Sequence, residues 1–218
     1  MPATYSAKWR FAQWLELKWW KNYLSGKDKD QYLIWKKNYW HRFLATINLP
    51  MEVSPQACLL DAGCGPAGIF TIFPNNRVTA LDPLLLQYEQ HLPHFNPQFY
   101  PNVLFIAQPI ETFAALNSYD IVFCLNAINH VAHIETALNR LVEALKPGGY
   151  LVISIDAHKY ALLQKIFRMF PADALHPHQF TLQAYQNMLL QNGLSLCSTT
   201  CLKRELIFDY WVLVAQKP

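Results

Sequence analysis

From residue 57 onward, short apolar runs alternate with amphipathic segments. The apolar runs predict seven strands, at residues 57–61, 77–82, 102–107, 119–125, 149–155, 194–202 and 207–216. The segments between them predict helices near residues 67–72, 83–91, 133–145, 158–169 and 181–192. Such alternation is typical of a parallel sheet with right-handed crossovers and helices on both faces. The last two strands are joined by the short link Lys203-Arg204-Glu205, which indicates an antiparallel hairpin at the sheet edge.

The first 50 residues have a different, strongly aromatic pattern. It predicts two helices, from Thr4 to Leu24 and from Asp28 to Ile47. On the second helix, aromatic residues recur at steps of three and four and therefore share one face. These residues are Tyr32, Trp35, Tyr39 and Phe43. We therefore expect a single domain with two parts: an aromatic helical cap over residues 1–50 and an α/β part over residues 51–218.

Three interpretations of the cap stay open at this stage. The helices could pack statically against the sheet, or they could form a lid over an active site. In a lid, aromatic rings could also form a cage for a cationic amine through cation–π attraction. The rings suited to such a cage are Trp19, Trp20, Tyr23, Trp35 and Tyr39. A shallow amphipathic contact with a membrane surface is the third interpretation, and the small basic excess favours it least.

Composition excludes several classes of protein. With 218 residues, 52% hydrophobic and 15% charged, the chain fits one globular domain. A net charge of +3 is too small to indicate nucleic-acid binding, and no run of about 20 apolar residues predicts a membrane span. The five cysteines form no C-x-x-C pair and no signal peptide is evident. We therefore expect reduced thiols, no metal site and a cytoplasmic location.

The most informative motif follows the first apolar run. Asp61 ends this run, and three glycines follow within a few positions, at Gly63, Gly65 and Gly68. Such a turn brings backbone close to a ligand, because glycine tolerates positive φ and has no Cβ. Asp82 ends the next strand, 21 residues after Asp61. A carboxylate at that spacing can accept hydrogen bonds from ribose hydroxyls, so the pattern predicts a nucleotide-type cofactor at the carboxyl ends of the strands.

Two further motifs complete a recognisable order. Asp120 to Val131 covers the fourth predicted strand and the loop after it, and Leu145-Lys146-Pro147-Gly148-Gly149 precedes the fifth. Together these motifs resemble the class I S-adenosylmethionine-dependent methyltransferases, over about Cys58 to Lys217. The resemblance implies a three-layer α/β/α sandwich with a Rossmann-like, seven-stranded, mostly parallel sheet and an antiparallel last strand. It also implies S-adenosyl-L-methionine as the cofactor.

The resemblance assigns a set of cofactor-binding residues. Asp61 is expected near the methionyl ammonium, Asp82 at the ribose, and Pro83, Gln108 and Ile110 around the adenine. Gln108 stands where many relatives have an Asp that faces the adenine amino group, and a Gln can both accept and donate there. The full set is Asp61, Gly63, Cys64, Gly65, Gly68, Asp82, Pro83, Gln108, Ile110 and Leu125.

Four residues are candidates on the acceptor side. Asn126 and His130 follow the fourth predicted strand at the same rim of the sheet. His130 matches a histidine common in this family, which is either structural or a general base with a suitable imidazole pKa. His176 and His178 lie in the insertion after the fifth strand, which helps to shape the acceptor pocket in similar enzymes. The alternative for these two histidines is a polar surface loop.

These features predict an enzyme that transfers a methyl group to an oxygen or nitrogen atom of a small-molecule acceptor. The fourth-strand motif lacks the Asn-Pro-Pro-Tyr or Asp-Pro-Pro-Tyr sequence of base- and amide-methylating relatives. We expect neither a nucleic-acid partner nor stable membrane insertion. The alternatives are a methyltransferase for lipids or quinones at a membrane surface, and a non-catalytic cofactor-binding regulatory module. The identity of the acceptor and the oligomeric state stay open.

Overall fold

The computed structural model describes residues 6–50, 52–158, 180–206 and 208–218. Two long helices come first, α1 (Ala7–Leu24) and α2 (Lys29–Thr46). Each begins at a side-chain cap, because the Ser6 hydroxyl accepts the Trp9 amide and the Asp28 carboxylate accepts the Gln31 amide. The two cap helices predicted from the aromatic pattern are therefore present.

The rest of the described chain alternates strands and helices. The strands are β1 (Cys58–Ala62), β2 (Arg77–Leu81), β3 (Val103–Ile106), β4 (Tyr119–Leu125), β5 (Leu145–His158), β6 (Ser195–Arg204) and β7 (Phe208–Gln216). The helices are α3 (Leu85–His91), α4 (Ile134–Ala144) and α5 (Leu182–Gln191). Short 3₁₀ turns fill several of the connections.

All seven strands form one sheet in the order β3-β2-β1-β4-β5-β7-β6. β1 to β5 pair in parallel, whereas β7 is antiparallel to both of its neighbours, β5 and β6. The mostly parallel sheet with an antiparallel last strand is thus confirmed. The strand order reverses between β1 and β4, which places a crevice outside the carboxyl ends of these two strands.

Each face of the sheet is covered by its own hydrophobic layer. Alternate residues of β1 point to opposite layers, and Leu59 and Leu60 are both fully buried. The layer containing Leu59 also includes Trp40 and Phe43 of α2, so the second N-terminal helix is part of the core. The other layer packs α4 and α5 against the sheet. The fold is therefore a three-layer sandwich with helices on both sides.

Two local predictions differ from the structure. The predicted helix at 67–72 is instead a pair of 3₁₀ turns, Gly65–Ala67 and Ile69–Ile72, because Gly68 between them has extended backbone. The predicted turn before the fifth strand lies within β5, whose pairing with β4 moves from Tyr119–Leu145 to Ile121–Tyr150. The predicted helix at 158–169 falls almost wholly outside the described residues.

Candidate active site

A cavity of about 790 Å³ lies at the carboxyl ends of the parallel strands. Its walls come from the glycine loop after β1, the ends of β2, β4 and β5, the β6–β7 hairpin, and one face each of α1 and α2. This volume is within the range of about 300–1,000 Å³ that is typical of small-molecule sites. The crevice expected from the strand order is therefore closed from above by the N-terminal helices.

The glycine loop is shaped by close contacts that exclude larger residues. Gly63 has φ +73°, and a Cβ built there would lie 2.2 Å from the Cβ of Ala127. A Cβ on Gly68 would lie 2.3 Å from Oδ2 of Asp61. The Gly63 amide donates to the Leu81 carbonyl at 2.7 Å, which turns the loop back against the end of β2. The loop backbone therefore lies directly on the strand tips beside the cavity.

The Asp82 side chain, directly after β2, is hydrogen-bonded to the glycine loop. Its Oδ2 accepts the Gly65 amide at 3.0 Å, and its Oδ1 accepts the Leu84 amide at 2.8 Å. Burial raises the pKa of Asp82 to about 6, although both amides favour its charged form. The carboxylate lines the cavity, and each oxygen keeps a lone pair for a further donor.

Asp61 lies beneath the glycine loop and is not among the residues that line the cavity. Its Oδ2 accepts the Phe70 amide at 3.0 Å. Its place near the methionyl ammonium stays a prediction. Burial raises its pKa to about 7, and the nearby Asp82 charge adds to this effect. The positive charge of Lys36 on α2 opposes the shift. Asp61 therefore holds the 3₁₀ turn that follows the loop.

α2 is fixed to the glycine loop by its aromatic residues. The Trp40 indole N–H donates to the Ala67 carbonyl at 3.0 Å. The Lys36 ammonium lies 4.5 Å from the Trp40 ring centroid and 4.8 Å from that of Tyr39. Burial lowers the pKa of Lys36 to about 8, while the Asp61 charge acts in the opposite direction. Tyr39, one of the rings proposed for a cation cage, thus already lies against a cation of the chain itself.

The loop after β4 is strained and held by a buried serine. Asn126 has φ +56°, a left-handed conformation that is uncommon outside glycine. Its amide donates to the Ser154 hydroxyl at 2.8 Å, and the Tyr210 hydroxyl donates to the same oxygen at 2.8 Å. Tyr39 on α2 lies near Tyr210 and influences its titration. Ser154 therefore ties β7 to the backbone of the β4 loop, and the cap reaches the same region through Tyr39.

The histidines predicted for the acceptor side are only partly described. His130 lines the cavity at the end of a 3₁₀ turn, Ile128–His130, close to Asn126 in the chain. Asn129, in the same turn, also lines the cavity and accepts the Tyr185 hydroxyl at 2.6 Å. His176 and His178 lie outside the described residues.

Within the described ranges no group of three or more potential metal ligands occurs, and no helix there is long and apolar enough to cross a membrane.

Most of the predicted cofactor set comes together. The residues of that set that line the cavity are Gly63, Cys64, Gly65, Asp82, Pro83, Ile110 and Leu125. Asp61 and Gly68 support the loop from below. Gln108 is half-buried and is not among the cavity-lining residues, so its predicted contact with adenine has no support in the geometry.

Sequence reasoning missed several cavity residues. Gln13 and Glu16 reach the cavity from α1, and Asp156 and Tyr210 reach it from β5 and β7. Burial and the neighbouring Asp82 charge raise the pKa of Glu16 to about 8. Ser154, which lies behind the cavity wall, could have been found from the sequence, because a polar residue inside an apolar strand indicates a buried hydrogen bond. No comparable signal marks Gln13 or Glu16, whose position depends on how α1 docks.

Comparison with known proteins adds to this geometry. Residues 60–151 match the family model described as "Methyltransferase domain". The ubiquinone biosynthesis O-methyltransferase of Rickettsia bellii is 32% identical over 108 residues, which cover 48% of this chain and 45% of that protein. The match thus spans less than half the length of the curated relative.

Solved structures share the fold at low sequence identity. The 1,6-didemethyltoxoflavin-N1-methyltransferase of Burkholderia thailandensis, crystallised with 1,6-didemethyltoxoflavin and S-adenosylhomocysteine, aligns with a TM-score of 0.59 and 19% identity. That alignment covers 100% of this chain and 93% of the other. The [4+2]-cyclase SpnF aligns with a TM-score of 0.66 and 13% identity over 84% of this chain and 81% of its own. The shared fold thus occurs with more than one kind of reaction.

Proposed function

We propose that this chain, whose residues 60–151 match the methyltransferase-domain model, transfers a methyl group from S-adenosyl-L-methionine to a small-molecule acceptor. The acceptor atom is an oxygen or a nitrogen. One observation carries the proposal: the Asp82 carboxylate, which accepts the Gly65 amide, lines the same cavity as Asn126 and His130 after β4. The cavity thus offers polar groups for a cofactor and for an acceptor.

The cavity fits the chemistry of this cofactor. S-adenosylmethionine is a nucleoside with two ribose hydroxyls and two positive charges, on its sulfonium and its ammonium. Asp82 and Glu16 place two carboxyl groups at the cavity, Asp61 lies just beneath it, and Lys36 is a cation among them. Gln13 adds a buried amide oxygen that has no hydrogen-bond partner within the described part of the chain.

Each part of the cofactor has residues suited to hold it. Asp82 would accept hydrogen bonds from the ribose hydroxyls, and the backbone of Gly63–Gly65 would lie along the methionyl chain. Pro83 and Ile110 would pack against the adenine, and Leu125 would line the amino-acid end. When bound, the cofactor supplies an electrophilic methyl group on sulfur, and the protein's task is to orient the acceptor and to exclude water.

The acceptor would be held by residues at the other end of the cavity. His130 would take the proton of an O–H or N–H acceptor, and Asn126 would position that acceptor. Asp156 and Tyr210 contribute further polar groups on that side. His176 and His178 remain predicted acceptor residues. The name of the Rickettsia relative makes oxygen acceptors, such as phenols, the first class to test.

The test combines binding with turnover. Calorimetry with S-adenosylhomocysteine measures cofactor binding, and a radiolabelled methyl donor measures transfer to a panel of phenols and amines. His130→Ala should lower kcat by about 10²-fold if His130 is the base. The exposed His133, three residues away, supplies the matched control, and His133→Ala should leave kcat unchanged. Cofactor binding without transfer to any acceptor would favour the non-catalytic regulatory alternative.

A lipid or quinone acceptor at a membrane surface is the second candidate, and one observation favours it. Phe11, Trp14 and Trp19 are each about half exposed on α1. The exposed basic residues of that helix are Lys8, Arg10, Lys18 and Lys21. Aromatic and basic residues together are typical of helices that lie at an anionic membrane surface.

Point variants test membrane contact better than deletion of residues 1–50, because Trp40 of α2 belongs to the core. Flotation of the full chain with anionic and with neutral vesicles should be compared with that of Trp14→Ser. Leu116→Ser, at an exposed position outside the cap, is the control. Equal flotation of the wild type and Trp14→Ser would contradict this candidate.

A further inference from the structure

α1 presents two polar side chains to the cavity that the glycine-loop motif does not account for. Gln13 and Glu16 are one helical turn apart and therefore share a face. Gln13 is only 9% exposed, and its Oε1 atom has no hydrogen-bond partner among the described residues. A buried acceptor without a donor is costly, so this atom is suited to an N–H or O–H of a ligand.

Glu16 lies among the groups that surround the predicted ribose position. Asp82 at the end of β2 acts on it electrostatically, Trp20 is one turn further along α1, and Tyr88 of α3 packs beside them. Two carboxyl groups that repel each other at one cavity, one of them buried, do not both ionise readily. With the pKa of Glu16 at about 8 and that of Asp82 at about 6, the pair holds one proton at neutral pH, on Glu16.

We propose that Glu16 and Gln13 bind the nucleoside part of the cofactor. Glu16 acts as a protonated carboxyl beside Asp82 at the ribose hydroxyls, and Gln13 accepts the adenine amino group. The inference rests on the proposed function, because it takes S-adenosylmethionine as the ligand. It also offers an adenine contact from residues that line the cavity, as Gln108 does not.

The chemistry of a ribose explains why two carboxyl groups are useful. Its two adjacent hydroxyls offer two donors and several acceptor lone pairs. The Asp82 carboxylate can only accept, and it already accepts two backbone amides. A protonated Glu16 adds the donor that Asp82 lacks. Because this donor belongs to α1, cofactor binding would also fix the cap over the cavity.

Proton linkage gives the inference a signature that a merely structural role would not produce. Glu16 must be protonated in the complex, so affinity should fall by roughly tenfold per pH unit once the pH exceeds its pKa of about 8. Asp82 must be ionised, so affinity should also fall below about pH 6. The affinity should therefore be highest between these two values.

The experiment is calorimetric titration of the full chain with S-adenosylhomocysteine at several pH values. Glu16→Gln keeps a neutral donor and should bind as the wild type does at pH 7, without the additional loss above pH 8. The ligand's own amino group titrates equally with both proteins, so the difference between them reports Glu16. Glu16→Ala should bind about tenfold more weakly or worse at pH 7. Lys21→Ala, on the exposed face of α1, is the control and should change nothing.

Gln13 is tested with the analogue that carries a carbonyl in place of the adenine amino group, S-inosylhomocysteine. The wild type should prefer the adenosine compound by about tenfold, and Gln13→Ala should lose most of this preference. If the wild type binds S-adenosylhomocysteine but the Glu16 and Gln13 variants bind it identically, this inference is wrong and the proposed function stands. If the wild type binds neither compound, the proposed function itself fails.

Discussion

The stability of Asp61→Asn relative to the wild type should be greater at neutral pH than at acid pH. Asp61 is 2% exposed, and the Phe70 amide donates to it. Burial raises its pKa from 3.8 to about 7. Between these values the folded state holds a proton that the unfolded state has released. The contribution of Asp61 to the free energy of unfolding therefore falls by about 1.4 kcal/mol per pH unit as the pH rises from about 4 to about 7.

The amide side chain introduced by Asp61→Asn keeps an acceptor for the Phe70 N–H and removes the buried charge. The difference in unfolding free energy between Asp61→Asn and the wild type should therefore shift in favour of the variant as the pH rises. The full shift across the window has an upper limit of about 4 kcal/mol, and relaxation around the site will reduce it. Urea unfolding of both proteins at pH 5 and at pH 8 measures this difference.

Asp120→Asn is the control with the opposite sign. Partial burial alone would raise the pKa of Asp120, but the Lys146 ammonium donates two 2.8 Å hydrogen bonds to it and keeps its pKa below 3.8. Its contribution is present above pH 3.8 and is lost as the pH falls through the lowered pKa, so Asp120→Asn should be the less stable protein at neutral pH. A stability difference for Asp61→Asn that stays constant between pH 5 and pH 8 would refute the reasoning.

Three further substitutions test the site. Gly63→Ala should destabilise the chain by about 1–3 kcal/mol, because the new Cβ meets Ala127 and φ is positive; Ala127→Gly should restore part of the loss in urea unfolding. Asp82→Ala should weaken S-adenosylhomocysteine binding by about 10-fold to 100-fold in calorimetry, because the ribose loses a charged acceptor. Tyr210→Phe removes one donor to the Ser154 hydroxyl. Because the β4 loop is proposed to face the acceptor, this change should lower kcat more than it raises the Kd for the cofactor. An unchanged kcat would argue against this role.

Local sequence patterns were enough to predict much of the fold. The apolar runs matched the strands of the sheet because the central strands are buried and the two edge strands, β3 and β6, are partly buried. The glycine spacing after β1 identified the loop. The helix predicted at 67–72 failed because Pro66 and Gly68 divide that segment into two 3₁₀ turns. Hydrophobic patterns along the sequence predict buried strands well, but they predict short interruptions of a helix poorly.

The site could be predicted only in part, for a physical reason. The loop glycines and Asp82 follow two successive predicted strands, so their positions in the sequence predicted where they lie. Glu16 and Gln13 reach the cavity because α1 packs against α3, and this packing depends on contacts between residues distant in sequence, such as Trp20 and Tyr88. The motif did not reveal that Asp61 is buried beneath the loop, where it accepts the Phe70 amide, because that bond depends on the turn that follows.

The central claim is that this chain binds an S-adenosyl cofactor through the glycine loop and Asp82. Calorimetric titration of the purified protein with S-adenosylhomocysteine tests it most directly, with Asp82→Ala measured beside the wild type. The claim predicts saturable binding at one site per chain, weakened in the variant. A wild-type titration without binding heat, together with an unchanged melting temperature at saturating ligand, would contradict it.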